Sequence, residues 1–306
     1  MSRPPLVSLA ADLPLFVLAL FVLGMGNSLL DVSMNAHAAR VERAYGRPIF
    51  AGFHAFWNIG GLAGSGVAGI TASLHVPIAI QFPCAGFALL AASWWAISTC
   101  FLRGADQGQG QSGFVLPSRA LLPLGVIAFC GFIAEGTVND WSAVYLAHSA
   151  AASPASASLG YFAFSIAMII VRLVADRMTA RIGVARFIRA ATLIAVAGFA
   201  LVIAVTVPAA GILGFGLAGL GVSAIVPLAW SAAGKLQPES PGRAISAVAT
   251  LGYLGFLLGP VMIGGLAGLV GLRLALIAAP ALTLVVYFLA PAMRVPATVL
   301  AASPAS

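Results

Sequence analysis

Nine continuous apolar runs divide the chain: Leu13–Ala38, Phe50–Ser73, Val76–Leu102, Leu121–Ala147, Ser158–Met178, Phe187–Pro208, Ala209–Gly234, Ala244–Gly271 and Leu272–Met293. Each has about the 20 residues that one helical crossing of a hydrocarbon core requires. None alternates apolar and polar residues at period two, the pattern of a lipid-facing barrel strand. The pattern therefore predicts an all-α polytopic bundle of about nine transmembrane helices. The first run is too long for the ~7–15-residue apolar core of a signal peptide, although Ala36-His37-Ala38 resembles a cleavage site. It is read as the first helix.

Composition narrows the class. Of 306 residues 61% are hydrophobic and 8% charged, against roughly 25% charged in a soluble domain. Disorder, a disulfide scaffold and a sizeable soluble domain are all excluded. The net charge of +7 resides almost wholly in arginine, yet no basic stripe with interleaved aromatics marks a nucleic-acid surface. Its position is topological. Alternate loops and their flanks collect 13 of the 15 basic residues, from Arg40, Arg43 and Arg47 through Arg177, Arg181, Arg186 and Arg189 to Lys235, Arg243 and Arg294. Positive charge concentrates on the cytoplasmic side. The expectation is an N-terminus outside and a C-terminus inside.

The chain also repeats itself. Gly46-Arg47-Pro48-Ile49-Phe50-Ala51 opens the second run and Gly242-Arg243-Ala244-Ile245-Ser246-Ala247 opens the eighth; at the same offset Trp57 matches Tyr253 and Leu62 matches Leu258. A parallel repeat relating two bundles is a transporter architecture. The Gly/Gln-rich stretch between them reads as a flexible link. The expected organisation is a three-helix N-terminal bundle over residues 1–102 and a cytoplasmic linker over 103–120. A six-helix C-terminal bundle over 121–294 and a disordered tail over 295–306 follow.

An ionisable side chain at the bilayer centre costs about 2.5–3.5 kcal/mol on insertion scales, so intramembrane polar residues are the functional candidates. Asn27, Asp31 and Asn35 form one stripe at i, i+4, i+8. His54 and Asn58 form a second, and Glu135 and Asn139 a third, with Trp141 and Tyr145 nearby. Three polar helix faces are what a shared aqueous cavity requires. Interhelical hydrogen bonding explains Asn27, Asn139 and Ser65 equally well, whereas Asp31 and Glu135 suit a carboxyl that cycles between protonated and charged forms. Phe53, Trp57, Trp141, Tyr145, Trp230 and Tyr253 are candidates for stacking on a sugar face. Arg172, Asp176, Arg177 and Arg181 are read as a cytoplasmic ion-pair cluster that holds one conformation closed, or as plain positive-inside charge with one neutralising acid. The fingerprint-like Gly214-x-Gly216-x-x-Gly219 lies inside an apolar run, with no strand before it, and is read as close helix packing. The four histidines and three cysteines have no metal-ligand spacing, and no cofactor is expected.

Several of these stretches resemble the major facilitator superfamily, and within it the fucose-permease-like sugar transporters. They are Gly26-Asn27-Ser28-Leu29-Leu30-Asp31-Val32-Ser33-Met34-Asn35, Phe53-His54-Ala55-Phe56-Trp57-Asn58-Ile59-Gly60-Gly61, Ala134-Glu135-Gly136 and Asp140-Trp141-Ser142. Asp176-Arg177 with Arg181 is similar to the superfamily's cytoplasmic motif, departing from it at Thr179 where glycine is usual. The resemblance runs from about Leu13 to Met293 and aligns the nine runs with helices four to twelve of a twelve-helix transporter, the first three being absent. It implies a proton-coupled transporter of a small polar, sugar-like solute in the bacterial inner membrane, working by alternating access. It places Asp31 at the permease's protonatable acid, while Glu135 stands where that permease carries an amide. The partners implied are the solute, protons and membrane lipid. The competing readings are an inactive or truncated remnant whose Met1 is not the ancestral start, and a membrane-embedded enzyme. The enzyme reading lacks an acidic metal cluster or histidine pair.

Overall fold

The computed structural model describes residues 13–47, 49–74, 76–100, 117–152 and 154–294. Residues 103–116 of the expected linker, the tail from 295, Arg3 and Arg103 lie outside the described residues. The helices are α1 (Leu13–Tyr45), α2 (Phe50–Ser73), α3 (Ile78–Cys100), α4 (Leu122–Ser149), α5 (Pro154–Ile182) and α6 (Val184–Ala204). They continue with α7 (Pro208–Val222), α8 (Ile225–Leu236), α9 (Pro241–Val270), α10 (Leu272–Ala275) and α11 (Ala278–Leu289), ending in a 3₁₀ turn at Ala290–Met293. No strand occurs among the described residues.

Every apolar run contains helix. Six units among the described residues are long and apolar enough to cross a bilayer, and the seventh and ninth runs supply two of them, Pro208–Leu236 and Leu272–Met293. At 1.5 Å per residue, α1, α2 and α3, with 33, 24 and 23 residues, reach about 50, 36 and 34 Å. That is enough for a ~30 Å core. Two runs expected as single helices are broken. The seventh breaks at Ser223-Ala224 because Pro227 has no N–H to offer the carbonyl of Ser223 four residues earlier. The ninth breaks at Leu276-Ile277, where Pro280 does the same to Leu276. Gly183 and Gly271, at φ of 83° and 80°, make one-residue joints between α5 and α6 and between α9 and α10. A side chain there would be strained.

The buried core lies largely within α4–α11. Its helices approach closely where glycines meet: the carbonyl of Phe164 would stand 2.5 Å from a Cβ at Gly219, and that of Gly198 2.7 Å from one at Gly214. The Gly-x-Gly-x-x-Gly stretch thus sits inside α7 as packing surface. Against this unit, α1 packs on α8 and α9, and α2 on α5 and α8. At one end Arg43 Nη1 donates to the carbonyl of Pro238 at 3.2 Å, bringing the α1–α2 and α8–α9 connections together. At the other, Arg273 Nε donates to the carbonyl of Ile203 at 2.6 Å. Thiol labelling by an impermeant reagent is expected to reach a cysteine at Ser240 from one side of the membrane and one at Ala151 from the other. Labelling of both from one side would contradict the topology.

Candidate functional site

A cavity of about 750 Å³ lies between the front helices α1–α2 and the back helices α4, α5, α8 and α9. Its residues follow helical periodicity. Gly24, Asn27 and Asp31 come from α1, His54, Trp57 and Asn58 from α2, and Phe132, Glu135 and Asn139 from α4. On α5, Tyr161, Ser165, Met168 and Arg172 step by three or four residues down one face. Val226, Pro227 and Trp230 line it from α8, and Tyr253, Phe256 and Leu257 from α9.

Asp31 is almost buried and accepts a hydrogen bond from the Tyr253 hydroxyl, which ties α1 to α9 across the cavity. Asn35, one turn further, is buried beneath it. Its Nδ2 donates to the Asp31 carbonyl at 2.7 Å, leaving Oδ1 to face His54 Nε2 at 3.0 Å. That geometry requires the Nε2–H tautomer of His54. The imidazole is held between Phe50, at a centroid distance of 5.7 Å, and Trp230, at 5.3 Å. Phe132 extends this aromatic wall, lying 5.4 Å from Tyr253 and 5.8 Å from Phe256. The buried Nε1 of Trp230 has no hydrogen-bond partner among the described residues.

Glu135 and Arg172 form the other charged group in the cavity, with Nη2 3.5 Å from Oε2. Arg172 Nε donates to the carbonyl of Ser223 at 2.8 Å, the acceptor that Pro227 leaves open. The expected ion-pair cluster does not join Arg172 to Asp176: Arg172 turns to Glu135 and the Ser223 carbonyl in the cavity, and Asp176 to the start of α2. Asp176 serves elsewhere. Its carboxylate accepts from the Ala51 and Gly52 amides at 3.1 and 2.9 Å, capping the N-terminus of α2, where negative charge is favoured. Arg177 and Arg181 are exposed at the same end.

Beside this cap is a residue the sequence reading missed. Glu42, 4% exposed, accepts from the Ile49 and Phe50 amides at 3.0 and 2.7 Å and from Ser231 Oγ at 2.7 Å, and it ion-pairs with Lys235 Nζ at 2.7 Å. Glu42 and Asp176 thus lock α1 and α2 to α5 and α8 at the basic end, below the cavity floor. The cavity extends away from this latch. Glu42 lies four residues past the first apolar run. Burial pushes its carboxyl up, but the Lys235 charge and the hydrogen bonds from Lys235, Ser231 and Ile49 outweigh that and hold it below the usual 4.5. A depressed carboxylate stabilises the fold above its unfolded value, and that contribution is lost as pH falls through the folded value. Glu42→Gln is expected to lower stability by about 1–3 kcal/mol near neutrality. The gap from wild type should shrink below pH 4.5; unfolding midpoints in detergent across pH would show it, and a gap that widens with acid would contradict the latch.

Of the sequence-predicted residues, Asn27, Asp31, His54, Asn58, Glu135, Asn139 and Arg172 meet around the cavity. Asn35 supports it from below. Trp141 does not line it and packs at α9, 3.3 Å from where a Cβ on Gly264 would lie. Tyr145 is also diverted, donating its hydroxyl to the Val202 carbonyl within the back unit. Phe132, Tyr161, Ser165, Met168 and Phe256 were missed. Stepping by three and four residues from Glu135, Arg172 and Tyr253 would have found them.

Comparison with known proteins fits this geometry. Residues 124–305 match the sequence model of the Major Facilitator Superfamily. An uncharacterised transporter of Sinorhizobium fredii is 34% identical over 95% of this chain and 79% of its own length. An uncharacterised MFS-type transporter of Yersinia pestis is 35% identical over 87% of this chain and 72% of its own. The membrane protein MosC of Rhizobium meliloti is 30% identical over 89% and 66%. The relatives named for an activity are transporters. The chain belongs to the major facilitator superfamily of membrane transporters.

Proposed function

We propose that the chain is a secondary active transporter that moves a small polar, sugar-like solute by alternating access, coupled to protons. One observation carries the reading. A cavity between front and back helices, where polar side chains project among aromatic and aliphatic ones, contains a nearly buried carboxylate, Asp31, and is closed at its basic end by contacts that join those same helices. Amides at Asn27, Asn58 and Asn139 offer paired donors and acceptors for hydroxyl groups, and Trp57, Trp230 and Tyr253 offer ring faces. Such a mixture suits a polyhydroxylated solute. The bacterial relatives favour an inner-membrane setting, and the loop charges favour an orientation with the latch and the C-terminus in the cytoplasm. The cavity is then outward-facing.

The test is uptake into proteoliposomes with an imposed pH gradient, screening neutral and acidic sugars and polyols. Concentrative uptake of one solute, abolished by a protonophore, is the expected result. Uptake indifferent to the proton gradient would remove the coupling. No uptake of any solute by well-folded protein would favour the inactive reading.

A further inference from the structure

The helix break in the back unit has an unusual partner. In an unbroken helix the Ser223 carbonyl would accept from residue 227, and Pro227 cannot donate. The guanidinium of Arg172 fills the vacancy through Nε and turns Nη2 toward Glu135. Arg172 is only 4% exposed, so its charge depends on these two acceptors. Beyond the break, α8 is a 12-residue rod about 18 Å long. Its last two turns carry Ser231 and Lys235, the two side chains from the back unit that hold Glu42. One rigid element therefore connects the ion pair in the cavity to the latch at the cytoplasmic end.

We propose that Arg172 is a positioning residue that transmits the charge of Glu135 to the latch through α8. With Glu135 ionised, the guanidinium rests between the two acceptors and pins the α7–α8 break. When Glu135 takes up a proton from cavity water, the buried guanidinium loses its counter-charge, an unfavourable state, and turns toward the cavity. Ser223 then has no donor, the break is free to bend, and α8 carries Ser231 and Lys235 away from Glu42. The other titratable groups facing the cavity are Asp31 on α1, His54 on α2, Tyr161 on α5 and Tyr253 on α9. Arg172 is the one that sits within ion-pair distance of Glu135 among the described residues. The proposal rests on reading the cavity as a proton-coupled solute path, but its test needs no solute.

A cysteine pair at Ala39 and Gly234 reports the latch, because a Cβ on Gly234 would lie 3.4 Å from Cβ of Ala39, close to the ~3.5–4.5 Å of a disulfide. In protein lacking Cys84, Cys100 and Cys130, the rate of oxidative cross-linking is measured in proteoliposomes. Glu135→Gln is expected to slow it about fivefold or more, the lower end of ordinary site-to-site coupling. Pro227→Ala restores an N–H to Ser223, so adding Glu135→Gln to that background should change nothing. Arg172→Lys keeps the charge but has no Nε–H, and it should slow cross-linking as Glu135→Gln does. An unchanged rate in Glu135→Gln or in Arg172→Lys overturns the proposal. So does equal slowing with and without Pro227→Ala. If Pro227→Ala does not fold, the two remaining variants decide. Uptake that fails to respond to protons would instead remove the proton coupling from the proposed function, and the two failures are distinguishable.

Discussion

Replacing Asp31 by asparagine is expected to reduce proton-driven accumulation to the level of empty vesicles while sparing solute binding and exchange. Asparagine has the same shape and can accept from the Tyr253 hydroxyl, so the contact between α1 and α9 survives. What it lacks is a proton to release. An intramembrane acid costs about 2.5–3.5 kcal/mol, and under the proposed function the nearly buried Asp31 carboxylate at the cavity is the group that takes up and releases the proton. Counterflow of labelled solute, run beside pH-gradient-driven uptake, separates the two functions. Undiminished uphill uptake in Asp31→Asn would transfer the coupling role, with Glu135 next to test.

The second large effect concerns the fold. Gly221→Val should destabilise the back unit by about 3 kcal/mol or more, at the upper end of overpacking penalties. A Cβ at Gly221 would stand 2.3 Å from the carbonyl of Ala191 and 2.5 Å from the amide and Cβ of Ala195, so α7 could not stay on α6. Two of the three obstacles are backbone and cannot rotate aside. In lipid, helix association depends on such close packing, because burial of apolar surface supplies no drive between helices. Gly265→Ala is the control, since nothing lies within 4 Å of that position. Unfolding midpoints in mild detergent should fall sharply for the first and hold for the second. Equal midpoints would mean that the α6–α7 contact carries little stability.

How far the sequence was legible follows from the physics of each feature. Long apolar runs announce helices because lipid leaves the backbone no other partner, and each of the nine runs contains helix, although the prolines in the seventh and ninth break them. Polar residues in such runs stand out for the same reason, so Asp31, His54 and Glu135 were visible without coordinates. Trp57 and Tyr253, matched by the internal repeat, both line the cavity. Partnerships were another matter. Arg172 stands four residues from Asp176, a spacing that permits an ion pair, but its guanidinium is drawn to Glu135 and to the carbonyl that Pro227 leaves open, both distant in sequence. Glu42 was overlooked because it follows an apolar run among arginines, where an acid looks hydrated. Its value as a latch appears only when Ser231 and Lys235, 189 and 193 residues away in the chain, are placed beside it. Trp141 shows the reverse error, since adjacency to Asn139 and Asp140 does not fix the direction of its ring.

The central claim is that the cavity opens to one side of the membrane at a time and that the cytoplasmic latch decides which. Asn139 lines the cavity on α4, away from the latch, and a single cysteine there can be challenged with an impermeant thiol reagent from either side in oriented vesicles lacking the native cysteines. The account predicts rapid labelling from the outside and slow labelling from the cytoplasm. Adding Glu42→Gln should raise the cytoplasmic rate and lower the external one. Equal access from both sides in the parent, or no shift when the latch is broken, would contradict it.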